Sequence, residues 1–346
     1  MQGSLRLKKC LASGVLILGS VVLMLIAAEG AARSLGYKPH PVVTDLHSGS
    51  GWTPDPELGW VRRAGSYPSS EPGHALMSFR EDGSREDPAG GKAKAPRIIT
   101  VGCSFTEGTG VVDSETYAHV LNRSFPDYDI INHGAAGYGA YQSLLRLRRY
   151  FRSAGDKQIT PMAVYGLIGD HLRRNVASAR TVAWLSLGDG RRFVPPNIRV
   201  AHGRLTAGPW GPIDPWPLET ESALVGLAHL AAINVKHWVS TSEQEEVQKE
   251  IVRRMAEEAH GHGAGFVVVG LADVPRWFEN WARNNSIDFV DCQHPNFRRD
   301  PTLKVGGIGH PSGTLHEWWG TCLSKALPAR LAVPPSDTAN IVAGRP

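Results

Sequence analysis

The chain has 346 residues, 42% of them hydrophobic and 20% charged, with a formal net charge of +4. That length exceeds an average domain but suits one large α/β domain with added segments, and four cysteines are too few for a disulfide scaffold. The basic excess lies in the first forty residues, where Arg6, Lys8, Lys9, Arg33 and Lys38 face Glu29 alone; the remainder is balanced and shows no basic stripe of the kind nucleic acid requires.

Residues 11–28 form an apolar run without a charge, preceded by Arg6, Lys8 and Lys9. Eighteen residues is the length of a short spanning helix. The positive flank places the N-terminus in the cytoplasm and the rest of the chain outside it, in the periplasm. The run reads as an uncleaved signal anchor. A cleaved signal peptide is the competing reading, because Ala27, Ala28, Gly30, Ala31 and Ala32 are small. The implied organisation is a cytoplasmic stub and anchor over 1–30, then an irregular segment over 31–96 rich in Pro, Gly and polar residues. An α/β domain follows over 97–330, and a flexible tail over 331–346. In the irregular segment, Trp52, Trp60 and Tyr67 pin the chain to the domain surface or meet a ligand.

From residue 98 strand and helix patterns alternate. Strands are predicted over 98–101, 128–132, 162–168, 265–271 and 287–291, and helices over 114–123, 138–152, 242–260, 274–283 and 313–327, the last stopped by Pro328. Residues 177–240 break this rhythm with many prolines and read as an insertion containing a helical piece near 222–232. The alternation implies a parallel sheet covered on both faces, a three-layer α/β/α sandwich.

Ligands of such sheets bind at the carboxyl ends of the strands. Gly102-Cys103-Ser104-Phe105-Thr106-Glu107-Gly108 sits at such an end, so Ser104 is the candidate nucleophile, with Cys103 a weaker alternative. A nucleophilic serine needs a base and oxyanion donors. Of fourteen histidines, His310 in the loop ahead of the last helix returns to the same edge; His316 falls within that helix. Asn132-His133-Gly134-Ala135-Ala136-Gly137 follows the second strand with backbone amides on that edge, and Gly166-Leu167-Ile168-Gly169-Asp170-His171 ends the third. Asp170, His171, Arg173, Arg174 and Asn175 are placed at the mouth of the cleft. No His-Glu-x-x-His or comparable metal-ligand spacing occurs, and no cofactor is implied.

In this order, these blocks resemble the SGNH (GDSL-type) hydrolases over about residues 97–328. The resemblance implies a flavodoxin-like sandwich, Ser104 as nucleophile, His310 as base, and an oxyanion N–H from Gly137. More narrowly, Pro54-Asp55-Pro56-Glu57-Leu58-Gly59-Trp60 and Asp82-Gly83-Ser84-Arg85 resemble the pre-domain segment of membrane-anchored bacterial members. Three positions depart from the family pattern: Cys103 replaces an aspartate, Gly169-Asp170 stands where an asparagine donor is usual, and Gly307 replaces the aspartate three before the histidine. Asp170, if protonated, and Asn175 are the substitute oxyanion donors. His310 must then be oriented by a backbone carbonyl such as that of Gly307, or by Asp291, Asp300 or Asp170; otherwise activity is lost. Asp291 with His294 repeats the Asp-x-x-His spacing, making His294 the second candidate base. Cys292 and Cys322 are a possible disulfide or two buried thiols.

The expected function is serine-dependent hydrolysis of O-acyl esters, on an acylated glycan or another small ester. Two alternatives stand beside it: an O-acetyltransferase modifying exported polysaccharide, and a catalytically weak glycan-binding scaffold.

Overall fold

A computed structural model describes residues 2–40, 51–92, 95–155, 158–185, 191–307 and 309–331, with side chains described from Leu11 onward. The predicted tail lies, beyond Leu331, outside the described residues. Five stretches form the central sheet: β1 (Arg97–Gly102), β2 (Asp129–Gly134), β3 (Met162–Ile168), β4 (Gly265–Ala272) and β5 (Asp288–Asp291). All are parallel, in the order β2-β1-β3-β4-β5. β2 and β3 are buried at every residue, so their apolar runs do not alternate, as a sheet covered on both faces requires.

In chain order the main helices are α1 (Gln2–Ser34), α2 (Tyr117–Ser124), α3 (Ala140–Ala154), α4 (Ala223–His237), α5 (Thr241–Gly261), α6 (Arg276–Asn284) and α7 (Gly313–Leu331). α3, α5 and α6 cover one face of the sheet, through Leu144 and Leu147, Ile251 and Met255, and Phe278 and Ala282. α2 and α7 cover the other, through Tyr117 and Leu121, and Leu315, Trp319 and Leu323. The strand order is that of the flavodoxin-like sandwich, in which the crevice lies where β1 separates β2 from β3.

Several predicted boundaries shift, two of them for an evident local reason. α2 begins at Tyr117 because Thr116 is its cap, its Oγ1 accepting from His119 N; Ser114 lies in a preceding 3-10 turn. α7 continues through Pro328 to Leu331, and Arg330 secures that end by donating to the Ala326 carbonyl and pairing with Asp288. A proline removes one N–H, and so late in a helix this costs little further pairing.

The segment expected to be irregular carries two antiparallel hairpins, Trp52–Asp55 with Gly59–Arg62 and Gly65–Pro68 with Leu76–Phe79. Strands of four residues are too short to display alternation in sequence. They bury Leu58, Trp60, Met77 and Phe79, and Arg85 bridges Asn132 on the edge strand β2. The insertion contains a short helix (Ala179–Trp184), two small antiparallel sheets (Arg192–Val194 with Gly211–Ile213, Ile198–Ala201 with Arg204–Ala207) and α4. Cys292 and Cys322 are disulfide-bonded, joining the stretch after β5 to α7.

Candidate active site

The turn that carries Ser104 rests on a row of glycines. Gly134, Gly102 and Gly166 are register partners across β2, β1 and β3. A Cβ on Gly102 or Gly166 would lie 2.2 Å from Thr106 Oγ1, and one on Gly134 2.2 Å from the Glu107 nitrogen. Only side chains reduced to hydrogen at all three positions let the helical turn Ser104–Glu107 lie against the carboxyl edge of the sheet. Asn132 fastens it there, its amide donating to the Thr106 carbonyl at 2.7 Å.

Ser104 opens this turn and is 2% exposed. The first amides of a helical turn have no partner within it, and among the described residues the Ser104 N–H has no backbone acceptor. The same holds for Gly137, whose φ of 84° turns the chain after β2. Both residues line a cavity of about 410 Å³ that Trp52 and Trp184 flank.

His310 lines this cavity too. Its ring lies 6.0 Å, centroid to centroid, from Phe105, the residue after the serine. Its Nδ1 is 2.7 Å from Glu71 Oε1, and its backbone N–H donates to Glu71 Oε2 at 3.3 Å. With Nδ1 committed to a carboxylate, Nε2 is the nitrogen left for a serine proton. The hydrogen bond from His310 holds the Glu71 carboxyl below the usual carboxylate range, against the opposing effect of partial burial. A carboxylate therefore orients His310, and it comes from the second hairpin, 239 residues away in sequence.

That carboxylate corrects the sequence-based candidates. The Gly307 carbonyl is not the partner of His310 Nδ1. Asp291 accepts from Gln293, and Asp300 caps its own 3-10 turn through Thr302 N. Asp170 pairs with Arg173. His294 packs its ring on Trp318 and accepts from Asn296 N. Asn175 is 2% exposed and spends its amide on Tyr141 N and Gln248 Oε1. None of these six lines the cavity of Ser104, so neither Asp170 nor Asn175 stands as an oxyanion donor, and Asp291 and His294 form no second acid and base there. For Asp170, Asp291, Asp300 and His294 the reason is local, since nearby polar partners consume side chains that a linear spacing rule counts as free, whereas Asn175 is taken by partners distant in sequence. Cys103 is fully buried beneath the turn. His316 lies in α7 and accepts from Tyr117 N; burial, aided by Arg85 and His310, pushes its pKa down to about 3, so it remains neutral and structural.

Two arginines of the pre-domain segment brace the turn. Arg62 pairs with Glu107, both side chains at most 4% exposed. Burial pushes the Glu107 carboxyl up, but Arg62, Thr109 and Arg85 together hold it below the usual range. Arg85 donates to the carbonyls of Glu107, Gly108 and Val111 and pairs with Asp113. From the Asp82-Gly83-Ser84-Arg85 motif, Arg85 thus braces the loop after Ser104, and Glu71 has no comparable signature in the chain.

Glu71 has room only because Gly309 has no side chain: a Cβ there would lie 2.1 Å from Glu71 Oε2 and 2.8 Å from the Val305 carbonyl. Gly309→Ala is expected to lower kcat for a small ester by about a hundredfold, the scale associated with an ångström of misplacement. Steady-state kinetics on the purified variant check this, and an unchanged kcat would show that the carboxylate position is immaterial.

No family model and no curated protein matches the chain. The solved structures similar to it include GDSL-type proteins. A lipolytic protein described as of the G-D-S-L family, from Desulfitobacterium hafniense, is 13% identical, covering 67% of this chain and 99% of its own with a TM-score of 0.40. A GDSL-like lipase from Bacteroides thetaiotaomicron is 15% identical, covering 67% and 88% at a TM-score of 0.36. A catalytic mutant of an acetylxylan esterase from Geobacillus stearothermophilus is 11% identical, covering 70% and 97% at a TM-score of 0.37.

Proposed function

We propose that the protein is a membrane-anchored serine esterase of the SGNH (GDSL) type, hydrolysing O-acyl esters of a carbohydrate or another small alcohol outside the cytoplasm. The observation that carries this reading is the convergence of Ser104, His310 and Glu71 on one cavity at the switch point of the sheet. Ser104 Oγ attacks the ester carbonyl while His310 Nε2 takes its proton. Glu71 holds the ring in the Nδ1–H tautomer and stabilises the imidazolium that forms. The N–H groups of Ser104 and Gly137 receive the oxyanion. Collapse of the tetrahedral intermediate breaks the bond to the alkoxy oxygen, which takes the proton from His310 and leaves as the alcohol. Water, deprotonated by His310, then attacks the acyl-serine and releases the acid, restoring the free hydroxyl.

The anchor reading is supported by α1, whose most apolar 18-residue window within Leu11–Ser34 has a mean hydropathy of 2.5 and no residue buried in the protein. A fluorophosphonate probe tests the chemistry on the full chain in detergent. Wild type is expected to be labelled and Ser104→Ala not. Absence of labelling in wild type, beside a labelled control esterase, would favour a silent glycan-binding scaffold, and labelling that survives Ser104→Ala would remove the residue assignment. Supplying an acyl donor with a glycan acceptor then separates hydrolysis, which yields free acid, from transfer, which yields a new glycan ester.

A further inference from the structure

α4 reads Ala-Leu-Val-Gly-Leu-Ala-His-Leu-Ala-Ala-Ile-Asn-Val-Lys-His, apolar on almost every side. A helix of that kind is ordinarily enclosed. Here one face is enclosed, through Ala223, Gly226, His229, Ile233 and His237, while Ala228, Ala231, Ala232, Val235 and Trp238 are exposed. Ala228, Ala231, Ala232 and Val235 follow helical spacing, with Val235 80% exposed, and Trp238, the residue that caps the helix, is 67% exposed. The turn that leads into the helix adds Trp216 and Leu218, the latter at 66% exposure.

What covers this face is indicated by where the helix begins. Glu29 is the first charged residue after the apolar run of α1. Its carboxylate accepts from Ala223 N at 3.0 Å, Leu224 N at 2.9 Å and Ser222 Oγ at 2.7 Å, so the first turn of α4 is capped by α1. Arg33 completes the joint, pairing with Glu29 and donating to the Glu221 carbonyl at 2.7 Å. Residues 11–28 span about 27 Å as a helix, close to the hydrocarbon thickness of a bilayer. Glu29 therefore marks the boundary of the lipid, and the start of α4 is bonded to that boundary. Leu35 and Tyr37, just past the end of α1, are 77% and 50% exposed. Trp and Tyr beside Leu and Val are the residues that settle at a headgroup interface, where an amphipathic ring meets both media.

We propose that α4 and the turn before it form an interfacial surface that lies on the bilayer entered by α1, with Val235 and Trp238 among the lipid headgroups. The proposal rests on the reading of α1 as a membrane anchor. Its consequence for the site is geometric: the short helix bearing Trp184, a wall of the cavity, packs on α4 through Val182 and Ile233. The cavity is then held beside the lipid surface and served by substrate at that surface.

The test uses the full chain in vesicles of phosphatidylethanolamine and phosphatidylglycerol. Nitroxide labels are placed singly in a Cys10→Ser background at Leu18→Cys, Val235→Cys and Glu279→Cys, the last on α6. Collisional access to oxygen and to a water-soluble nickel chelate is read by electron paramagnetic resonance. The label at 235 is expected to show severalfold less nickel access and more oxygen access than the label at 279, approaching the label at 18. A lipid-like label at 18 with a label at 235 matching 279 would leave the anchor standing and overturn the interfacial surface. A water-exposed label at 18 would remove the anchor and the proposal with it. Loss of access to both reagents at 235, with dipolar broadening between labels, would assign the face to a second copy of the chain and overturn the proposal.

Discussion

Alanine at Ser104 should lower kcat for ester hydrolysis roughly a million-fold and alanine at Glu71 about ten-thousand-fold, with little further loss when the two are combined. The size of the second effect follows from what Glu71 does. Its Oε1 lies 2.7 Å from His310 Nδ1 and its Oε2 accepts from the same residue's backbone. Without it the imidazole loses the partner that sets its tautomer and the charge that stabilises its protonated form. Glu71→Asp, one methylene shorter, should recover only part of the rate. The combined variant matters because a group acting through His310 contributes nothing once the nucleophile is gone. Steady-state kinetics and the rate of fluorophosphonate labelling on each variant check this, and a Glu71→Ala enzyme with wild-type kcat would reduce the triad to a dyad.

The second large effect is on stability. Arg85 is 2% exposed and serves three carbonyls of the loop after Ser104 as well as Asp113. Arg85→Leu strands those acceptors, and breaking a buried charged network by removing one partner costs about 3–5 kcal/mol. For a domain of this size that corresponds to a fall in Tm on the order of 10 °C. The comparison is Arg283→Leu, whose pairing with Glu279 within α6 is solvent-exposed and worth at most a few tenths of a kcal/mol. Calorimetry of the full chain in detergent measures both. Equal melting temperatures would mean that the pre-domain segment does not stabilise the nucleophile loop. The fall should be accompanied by lost activity, because the same loop positions Ser104.

The elements read from the sequence were those whose signals are local. A buried parallel strand announces itself as a short run such as Ile98-Ile99-Thr100-Val101 closed by a glycine, and α5, read over 242–260, is found at Thr241–Gly261. The placement of Ser104 and His310 at one sheet edge followed from alternation alone, since every β-to-α turn of a parallel sheet falls on the same side. The hairpins before the domain were not legible: their strands have four residues each, and Trp60 gains its burial against Tyr138 and Phe193, far later in the chain.

By itself, then, the sequence determined the order of strands and helices, the apolar N-terminal run and the turn that carries Ser104. Only the tertiary structure decided which acid pairs with His310, that Asp170 and Asn175 stand outside the cavity, and that Arg62 and Arg85 brace the turn that carries Ser104. The division has a physical cause. Secondary structure reports the periodicity of neighbouring residues, whereas a hydrogen bond reports distance in space, and Glu71 reaches His310 across 239 positions of chain. Nothing in the local pattern of Ser69-Ser70-Glu71-Pro72-Gly73 differs from an ordinary polar turn; its role arises from docking against a glycine that leaves room for a carboxylate.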